Sequence, residues 1–293
     1  MMIIIQLLIL LIVNIYLLTP VEAVDYAVSK TFTPVLNTAD FKTVFGGVTG
    51  ENLKTDRCGQ VRELEYIAPP GSVFTVLQKR RSGTADIYQV ETDEYTPQPK
   101  VRLYVDGRYI LLTSAVPAPR ALLLPSLDEI VAVLKASVGS PYVWGGNVPY
   151  GVPELVAWFN KGIRDGNEER LPLAGLDCSG LLYYATGGWT PRNTSQLITF
   201  GQSVNIAGKQ SEEIVKMLQP LDLIVWSGHV IIVLDHQTAI ESRLDCGKPG
   251  NGGVVITQIS QRLAEVMRTR RPKNNWAGGG KKNIFVIKRW YTR

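Results

Sequence analysis

The sequence predicts an α+β protein in which an all-β region precedes a region of helices packed on an antiparallel sheet. Residues 24 to about 115 contain short runs in which apolar and polar side chains alternate, as half-buried strands require. From residue 126 the apolar spacing becomes that of helices, and strand-like runs return after residue 220. The 293 residues, 45% of them apolar, are enough for two domains.

The first 23 residues differ from the rest because nearly all are apolar and none is basic. They predict an export signal (residues 1–23) that ends in a cleavage site with small residues at Val21 and Ala23. An uncleaved membrane anchor is the alternative, since the stretch approaches the ~20 residues that span a bilayer. Either way, we expect the remaining chain to be exported to the periplasm or cell envelope.

Residues 24–118 are expected to form a small β-barrel domain. Its clearest alternating runs are residues 72–77, 86–90 and 101–105. After the third run, Asp106 and Gly107 predict a hairpin turn into a strand over residues 109–112. The proline-rich segment 116–119 is stiff, and we expect residues 119–125 to link this domain to a second domain over 126–293.

The second domain is predicted to begin with a helix over 126–137, because Ser126 and Glu129 have the spacing of a capping box. Asp177 as N-cap would place Cys178 in the first turn of another helix, which ends before the glycines at 187 and 188. Further elements are two helices, over 153–161 and 259–267, and three strands, over 221–226, 229–234 and 238–242.

The chain has three cysteines, so at least one thiol has no partner within the chain. Cys178 is the candidate nucleophile, because a helix N-terminus is expected to lower the pKa of its thiol. Cys58 and Cys246 are expected to be unpaired loop residues, with a bridge between them as the less favoured alternative. The Cys and His spacings match no zinc site, so we expect neither a metal nor a cofactor.

Only two histidines are present, His229 and His236. A three-residue turn between the last two predicted strands pairs Ile231 with Glu241, which places Glu241 diagonally across from His229 at roughly 7 Å. His236 lies at the turn tip, more than ~15 Å away. We therefore expect His229 to be the general base and Glu241 to orient its ring, with an ion pair between Glu241 and Arg243 as the alternative.

Four motifs, taken in order, resemble those of the NlpC family of bacterial peptidoglycan cysteine endopeptidases. They are Tyr142-Val143-Trp144-Gly145-Gly146, Asp177-Cys178-Ser179-Gly180, Pro220-Leu221-Asp222-Leu223 and His229-Val230. The resemblance covers residues 126 to 271 and implies a papain-like fold with Cys178 as nucleophile and His229 as base. The first domain is similar, by architecture, to the bacterial SH3-like domains that accompany many members.

Family members usually carry a second histidine twelve positions after the base, and here that position is Glu241. The resemblance implies that Tyr142 helps to form the oxyanion site with the backbone N–H of Cys178, and core packing is the alternative. Residues 147–176 depart from the family as an insertion, which either lines the substrate groove or elaborates the surface.

The resemblance also implies that Asp177 and Ser179 hold the free amino terminus of a stem peptide, with a plain N-cap role for Asp177 as the alternative. Two further residues, Arg192 and Gln196, match the family's stretch after the nucleophile helix and are expected to bind substrate. The implied substrate is a stem peptide or muropeptide that begins with L-Ala and is cut at the γ-D-glutamyl-diamino acid bond.

The sequence thus predicts an exported, monomeric cysteine endopeptidase. Two rivals stay open: an amidase or acyltransferase with the same Cys and His, and a non-catalytic protein that binds the cell wall. The net charge of +5 favours contact with anionic polymers such as wall glycans, or with membrane surfaces. Aromatic residues do not interleave with the basic ones, so nucleic acid is not an expected partner.

Overall fold

The structure, a computed structural model, describes residues 25–46, 52–159, 170–248, 251–276 and 283–291. It contains two antiparallel sheets, one from each half of the chain, together with helices and a short two-stranded ladder, which confirms the predicted α+β class. The predicted export signal over residues 1–23 lies outside the described residues. Within those ranges no helix combines the length and the hydropathy needed to span a bilayer.

The first sheet has seven strands, which pair antiparallel in the order β3-β2-β6-β5-β4-β1-β7. In chain order they are β1 (Tyr26–Ser29), β2 (Thr33–Leu36), β3 (Leu64–Ala68), β4 (Val73–Ser82), β5 (Ala85–Glu91), β6 (Leu103–Asp106) and β7 (Ile110–Thr113). β4 and β5 form a long hairpin, and Gly83 takes a φ of +62° in its turn, which glycine adopts without strain. The barrel closure and the domain boundary at residue 118 stay predictions.

The hairpin predicted at Asp106 and Gly107 is wrong. A 3-10 helix, Gly107–Tyr109, follows β6, and β7 then pairs with β1 instead of returning along β6. The fully buried carboxylate of Asp106 accepts a hydrogen bond of 2.9 Å from the backbone N–H of Arg108 and another of 2.6 Å from its guanidinium. Asp106 therefore caps a short helix instead of starting a two-residue β-turn.

The helices are α1 (Phe41–Gly46), α2 (Leu127–Ala136), α3 (Pro153–Phe159), α4 (Cys178–Ala185), α5 (Thr194–Leu197), α6 (Ser211–Val215) and α7 (Ile259–Thr269). The capping box predicted for α2 is confirmed, since Ser126 and Glu129 each bind the other's backbone N–H. The predicted helix over 259–267 is confirmed as α7, and the helix predicted over 153–161 is confirmed as α3 for its described part.

The second sheet has β-strands in the order β10-β16-β11-β12-β13-β14, with β15 parallel to β16. They are β10 (Gln202–Ser203), β11 (Leu223–Trp226), β12 (His229–Val233), β13 (Thr238–Leu244), β14 (Gly252–Gln258), β15 (Arg271–Pro272) and β16 (Ile284–Arg289). Apolar side chains cover both faces, α2 and α4 packing on one and α6 and α7 on the other. Successive side chains of β12 point alternately to these two faces, with Val230 and Ile232 on the first and Ile231 and Val233 on the second.

The insertion predicted over residues 147–176 belongs to the packing of the first sheet. A ladder of β8 (Asn147–Val148) and β9 (Gly175–Leu176) closes its base. The core of the first sheet includes five buried residues of this segment, namely Val148, Val152, Leu155, Leu171 and Leu173. In α3, the Trp158 ring lies 4.4 Å from that of Tyr109, measured between centroids. A surface elaboration is therefore wrong for the described part of this segment, and residues 160–169 lie outside it.

A disulfide joins Cys58 of the first half to Cys246, which follows β13. The expectation that both are unpaired is wrong, and the bridge, the less favoured alternative, is present. The halves meet here, because the side chain of Asn251 donates a 2.9 Å hydrogen bond to the carbonyl of Cys58. The sequence separation of 188 residues gave no distance between the two sulfurs, so only the packing of the two halves could bring them together.

Candidate active site

Cys178 is the first residue of α4, as the sequence predicts, and Asp177 caps this helix by accepting a 2.6 Å hydrogen bond from the backbone N–H of Gly180. The Cys178 sulfur lies 3.9 Å from the carbonyl oxygen of Gly228, and the backbone N–H of Val230 lowers the pKa of its thiol. These two residues flank His229 in the chain. The start of α4 therefore brings the sulfur to the start of β12.

Burial raises the pKa of the Cys178 thiol to about 12, and the carboxylate of Asp177 acts in the same direction. The backbone N–H groups of Val230 and Ser179 lower the pKa by a smaller amount. The expected lowering by the helix N-terminus is thus wrong for this enclosed site, because the desolvation of a thiolate outweighs the favourable N–H groups. Cys178 rests as a thiol at neutral pH and needs a base when it reacts.

His229 is the first residue of β12 and lies beside Glu241 of β13. The strands pair Ile232 with Ile240, which is the predicted register. His229 Nε2 lies 2.7 Å from Oε2 of Glu241, a residue with no exposed surface. With Nε2 engaged by a carboxylate, Nδ1 is the ring nitrogen that can exchange a proton with a thiol.

Arg262 of α7 is a second partner of Glu241, and the sequence analysis missed it. Its Nε donates to Oε1 of Glu241 at 2.6 Å and its terminal nitrogen donates to Oε2 at 3.0 Å, a bidentate pair. Arg243, the ion-pair partner in the alternative, also lies within ion-pair distance of Glu241, at 3.9 Å. A signal was present, since Arg262 falls three residues after Ile259 and four before Val266, on the buried face of the helix.

Two opposing effects set the charge of Glu241. Burial alone would raise the pKa of its carboxyl group, but the hydrogen bonds from His229 and Arg262 outweigh burial and lower the pKa to about 2. Glu241 is therefore ionised throughout the neutral range, and it can orient the imidazole and stabilise an imidazolium.

Arg192 lies behind the start of α4 and is 1% exposed. Its guanidinium binds both carboxylate oxygens of Asp177, at 3.0 and 2.7 Å, and the hydroxyl of Ser179 at 3.0 Å. The remaining donors reach the carbonyl of Gly146 and the side chain of Asn147. All five N–H groups are thus used within the protein, which favours a positioning role for Arg192 over the predicted substrate contact.

The same contacts bear on Asp177 and Ser179, the residues expected to hold a substrate amine. The carboxylate of Asp177 is already shared between the helix N-terminus and Arg192. An incoming ammonium would have to share Oδ2 with that guanidinium. The N-cap alternative is therefore confirmed for Asp177, and its contact with a substrate amine stays a prediction.

Tyr142 is buried near the sulfur. Burial raises the pKa of its hydroxyl above the usual range, and the charges of Asp177 and Cys178 act in the same direction. The phenol therefore keeps its proton and can donate a hydrogen bond at neutral pH. Gln196 lies elsewhere, because its side-chain amide donates to the hydroxyl of Thr96 at 3.1 Å and joins the two halves of the chain.

The first half of the chain also borders the site. The backbone N–H of Trp144 donates to the side chain of Gln60 at 2.8 Å, and the guanidinium of Arg62 lies 4.4 Å from the centre of the Trp144 ring. A cavity of about 340 Å³ opens beside Tyr142, and its lining includes Gln60 of the first half and Arg170, Leu173 and Ala174 of the insertion. The C-terminal part of the insertion therefore borders this cavity.

No protein-family model matches this chain, and no curated protein matches it either. Among solved structures, it is similar to an NlpC/P60 family protein from Bacillus cereus, with 14% identity and a TM-score of 0.33 over 92% of this chain. That match spans 64% of the Bacillus protein.

Two further structures are similar. NlpC1 from Trichomonas vaginalis has 12% identity and a TM-score of 0.33, over 92% of this chain and 70% of its own. A protein from Mycobacterium tuberculosis, described as a non-catalytic NlpC/p60 domain adapted to peptidoglycan binding, has 21% identity and a TM-score of 0.29, over 45% of this chain and 92% of its own.

Proposed function

We propose that this chain is an exported cysteine endopeptidase that hydrolyses peptidoglycan stem peptides or muropeptides, without a metal or cofactor. One observation carries the proposal: the sulfur of Cys178 lies 3.9 Å from the carbonyl oxygen of Gly228, the neighbour of His229, whose ring is held by a buried carboxylate 2.7 Å away. A nucleophile, a base and a residue that orients the base form the arrangement used for acyl transfer through a covalent intermediate.

The first chemical step begins from a thiol and a neutral imidazole. As the substrate binds, Nδ1 of His229 takes the proton of Cys178, and the sulfur attacks the carbonyl carbon of the scissile amide. The negative charge moves to the carbonyl oxygen, where the backbone N–H of Cys178 and the hydroxyl of Tyr142 would donate hydrogen bonds. Glu241 stabilises the imidazolium that forms.

The second half of the reaction regenerates the thiol. The imidazolium of His229 gives its proton to the departing amine, the carbon–nitrogen bond breaks, and a thioester on Cys178 remains. The same imidazole then removes a proton from a water molecule, which attacks the thioester carbon. The carbon–sulfur bond breaks, and the imidazolium returns its proton to the sulfur. The products are a free carboxylate, a free amine and the resting thiol, so every proton is accounted for.

The substrate class rests on the four sequence motifs, and the basic composition agrees with an anionic wall. We propose the γ-D-glutamyl-diamino acid bond of peptides with a free N-terminal L-Ala. The first half of the chain would narrow the cleft at Trp144, where Gln60 and Arg62 contact it.

Digestion of a defined peptide tests this proposal. L-Ala-γ-D-Glu-diaminopimelate would be incubated with the chain lacking residues 1–23, and the products followed by mass spectrometry. We expect L-Ala-D-Glu and free diaminopimelate from the parent protein and neither from Cys178→Ala. Products from Cys178→Ala, or none from the parent on free and wall-bound peptides, would overturn it.

The same experiment separates the rivals. An N-acetylated peptide should be cut more slowly if the free amine is recognised, and equal rates would exclude that recognition. Release of ammonia or transfer of the acyl group to an added amine would identify an amidase or acyltransferase. Wall binding without cleavage would identify a binding protein.

A further inference from the structure

The Glu241 carboxylate that contacts the imidazole of His229 is itself bound by Arg262, which carries a permanent positive charge. The guanidinium makes two hydrogen bonds to Glu241, at 2.6 and 3.0 Å, and the side chain of Arg262 is only 15% exposed. One oxygen, Oε2, accepts from both Arg262 and His229. Arg262 and the imidazole of His229 are therefore separated by one oxygen atom, so a change in the charge of Arg262 should affect the imidazole directly.

We propose that Arg262 is a positioning residue that fixes the Glu241 carboxylate and, through its charge, keeps His229 in the neutral form needed to accept the thiol proton. This inference rests on the proposed function for its catalytic consequence but not for its electrostatic one. A lone buried carboxylate at 2.7 Å favours the imidazolium strongly. The guanidinium offsets that attraction and leaves the orientation of the ring unchanged.

Other charged groups around His229 give a matched comparison. Arg243 has the same charge and lies beside the same carboxylate, but at 3.9 Å and with 41% of its side chain exposed. Solvent screens such a group, so its effect on His229 should be small. Among the described residues, the remaining titratable or charged neighbours are Glu265, Arg270 and Cys178. Glu265 pairs with Arg262 at 3.1 Å, and the guanidinium of Arg270 covers the Trp226 ring that packs on His229.

The test is an NMR titration of the two histidine rings in the full chain without its first 23 residues. His236 lies exposed at the β12–β13 turn and serves as an internal reference. In Arg262→Gln we expect the pKa of His229 to rise by about one unit or more, since removing a buried charge unmasks the carboxylate. Arg243→Gln should change it by less than about 0.3 units. Equal shifts in the two variants, or no shift in Arg262→Gln, would overturn the proposal.

Arg262→Lys keeps the positive charge but replaces the two guanidinium hydrogen bonds by a single ammonium. This variant provides the test if Arg262→Gln does not fold. We expect the pKa of His229 to stay within about 0.3 units of the parent value, and kcat to fall about tenfold at unchanged KM because the carboxylate is less firmly placed. A raised pKa or an unchanged kcat in this variant would overturn the proposal.

Peptidase assays extend the test to the reaction. The acid limb of kcat/KM should move to higher pH in Arg262→Gln by the same amount as the pKa of His229, because only the neutral ring accepts the proton. The titration needs no substrate, so its result stands even if the stem peptide is not cleaved. If the pKa of His229 rises in Arg262→Gln as expected but the parent protein cleaves no peptide, only the proposed function is rejected. If the parent protein is active but the pKa of His229 does not change in Arg262→Gln, only this inference is rejected.

Discussion

Two buried carboxylates, Asp177 beside Cys178 and Glu241 beside His229, are each bound by two nitrogens of an arginine. Asp177 and Arg192 form a closed unit, in which every guanidinium N–H has a partner inside the protein. Glu241 and Arg262 form an open one, because Glu241 also binds the titratable ring of His229. The same kind of ion pair thus lies at the start of a helix in one place and contacts a histidine ring in the other.

The difference follows from what surrounds each pair. Arg192 is enclosed by a backbone carbonyl and side chains at the base of α4, and none of its described hydrogen-bond partners is a histidine or a cysteine. Arg262 lies at the surface edge of α7, next to Glu265, and reaches the carboxylate from one side. We therefore expect mutations at the closed pair to change mainly stability, and mutations at the open pair to change mainly the reaction and its pH dependence.

The largest effect should come from Glu241→Gln at the open pair. The Gln oxygen would face Arg262 and its NH₂ would face Nε2 of His229, which places the ring proton on Nδ1, where it blocks transfer from the thiol. We expect kcat on the stem peptide to fall about 10²- to 10⁴-fold. The measurement is steady-state cleavage near neutral pH, and full activity would show that Glu241 does not orient the base.

Arg192→Met breaks the closed pair. It leaves the carboxylate of Asp177 buried without its counter-charge, so the free energy of unfolding should fall by about 3–5 kcal/mol. Urea unfolding measures it. The control is Lys79→Met, which removes a cation from the exposed pair with Asp86 and should leave the unfolding midpoint unchanged within error. Similar losses in both variants would contradict a special role for the closed pair.

The free energy of unfolding should depend on pH below 4.5 because of Glu241 in the open pair. Folding lowers the pKa of Glu241 from its ordinary value of 4.5 to about 2, so its contribution to stability is present above pH 4.5 and is lost as the pH falls towards 2. The loss should amount to about 3 kcal/mol. Unfolding free energies measured between pH 2 and 6 test this, and Glu241→Gln should flatten that part of the curve. An unchanged curve in the variant would contradict the assignment.

The smallest effect is expected from Ser179→Ala at the closed pair. The hydroxyl of Ser179 accepts one Arg192 hydrogen bond and donates to Asp177 at 3.3 Å. Its removal leaves one buried N–H without an acceptor, at a cost of about 1–3 kcal/mol. Calorimetric unfolding measures this cost, and a loss as large as that of Arg192→Met would show that the hydroxyl, and not the charge pair, holds the helix start.

The spacing of residues in the sequence was sufficient to predict those parts of the site that lie within one hairpin or one helix turn. The pairing of β12 with β13 placed His229 beside Glu241, and the N-cap at Asp177 placed Cys178 at the start of a helix. In both cases the chemistry follows from spacings of a few residues, where backbone geometry leaves little freedom.

Contacts between distant segments were not predictable in this way. Arg262 reaches Glu241 only because α7 docks on the second sheet, 21 residues further along the chain. The raised pKa of Cys178 depends on how completely the surrounding segments exclude water, which no local spacing records. The hairpin predicted after β6 failed for a related reason, since the burial of Asp106 decided which turn forms.

The bridge between Cys58 and Cys246 makes a covalent ring of the intervening chain, and both Cys178 and His229 lie on that ring. A single backbone cut anywhere between the two half-cystines would leave both pieces tethered, so a nicked molecule would migrate as one species until a reductant is added. Cys178 and His229 are thereby kept on one connected molecule even after proteolytic damage.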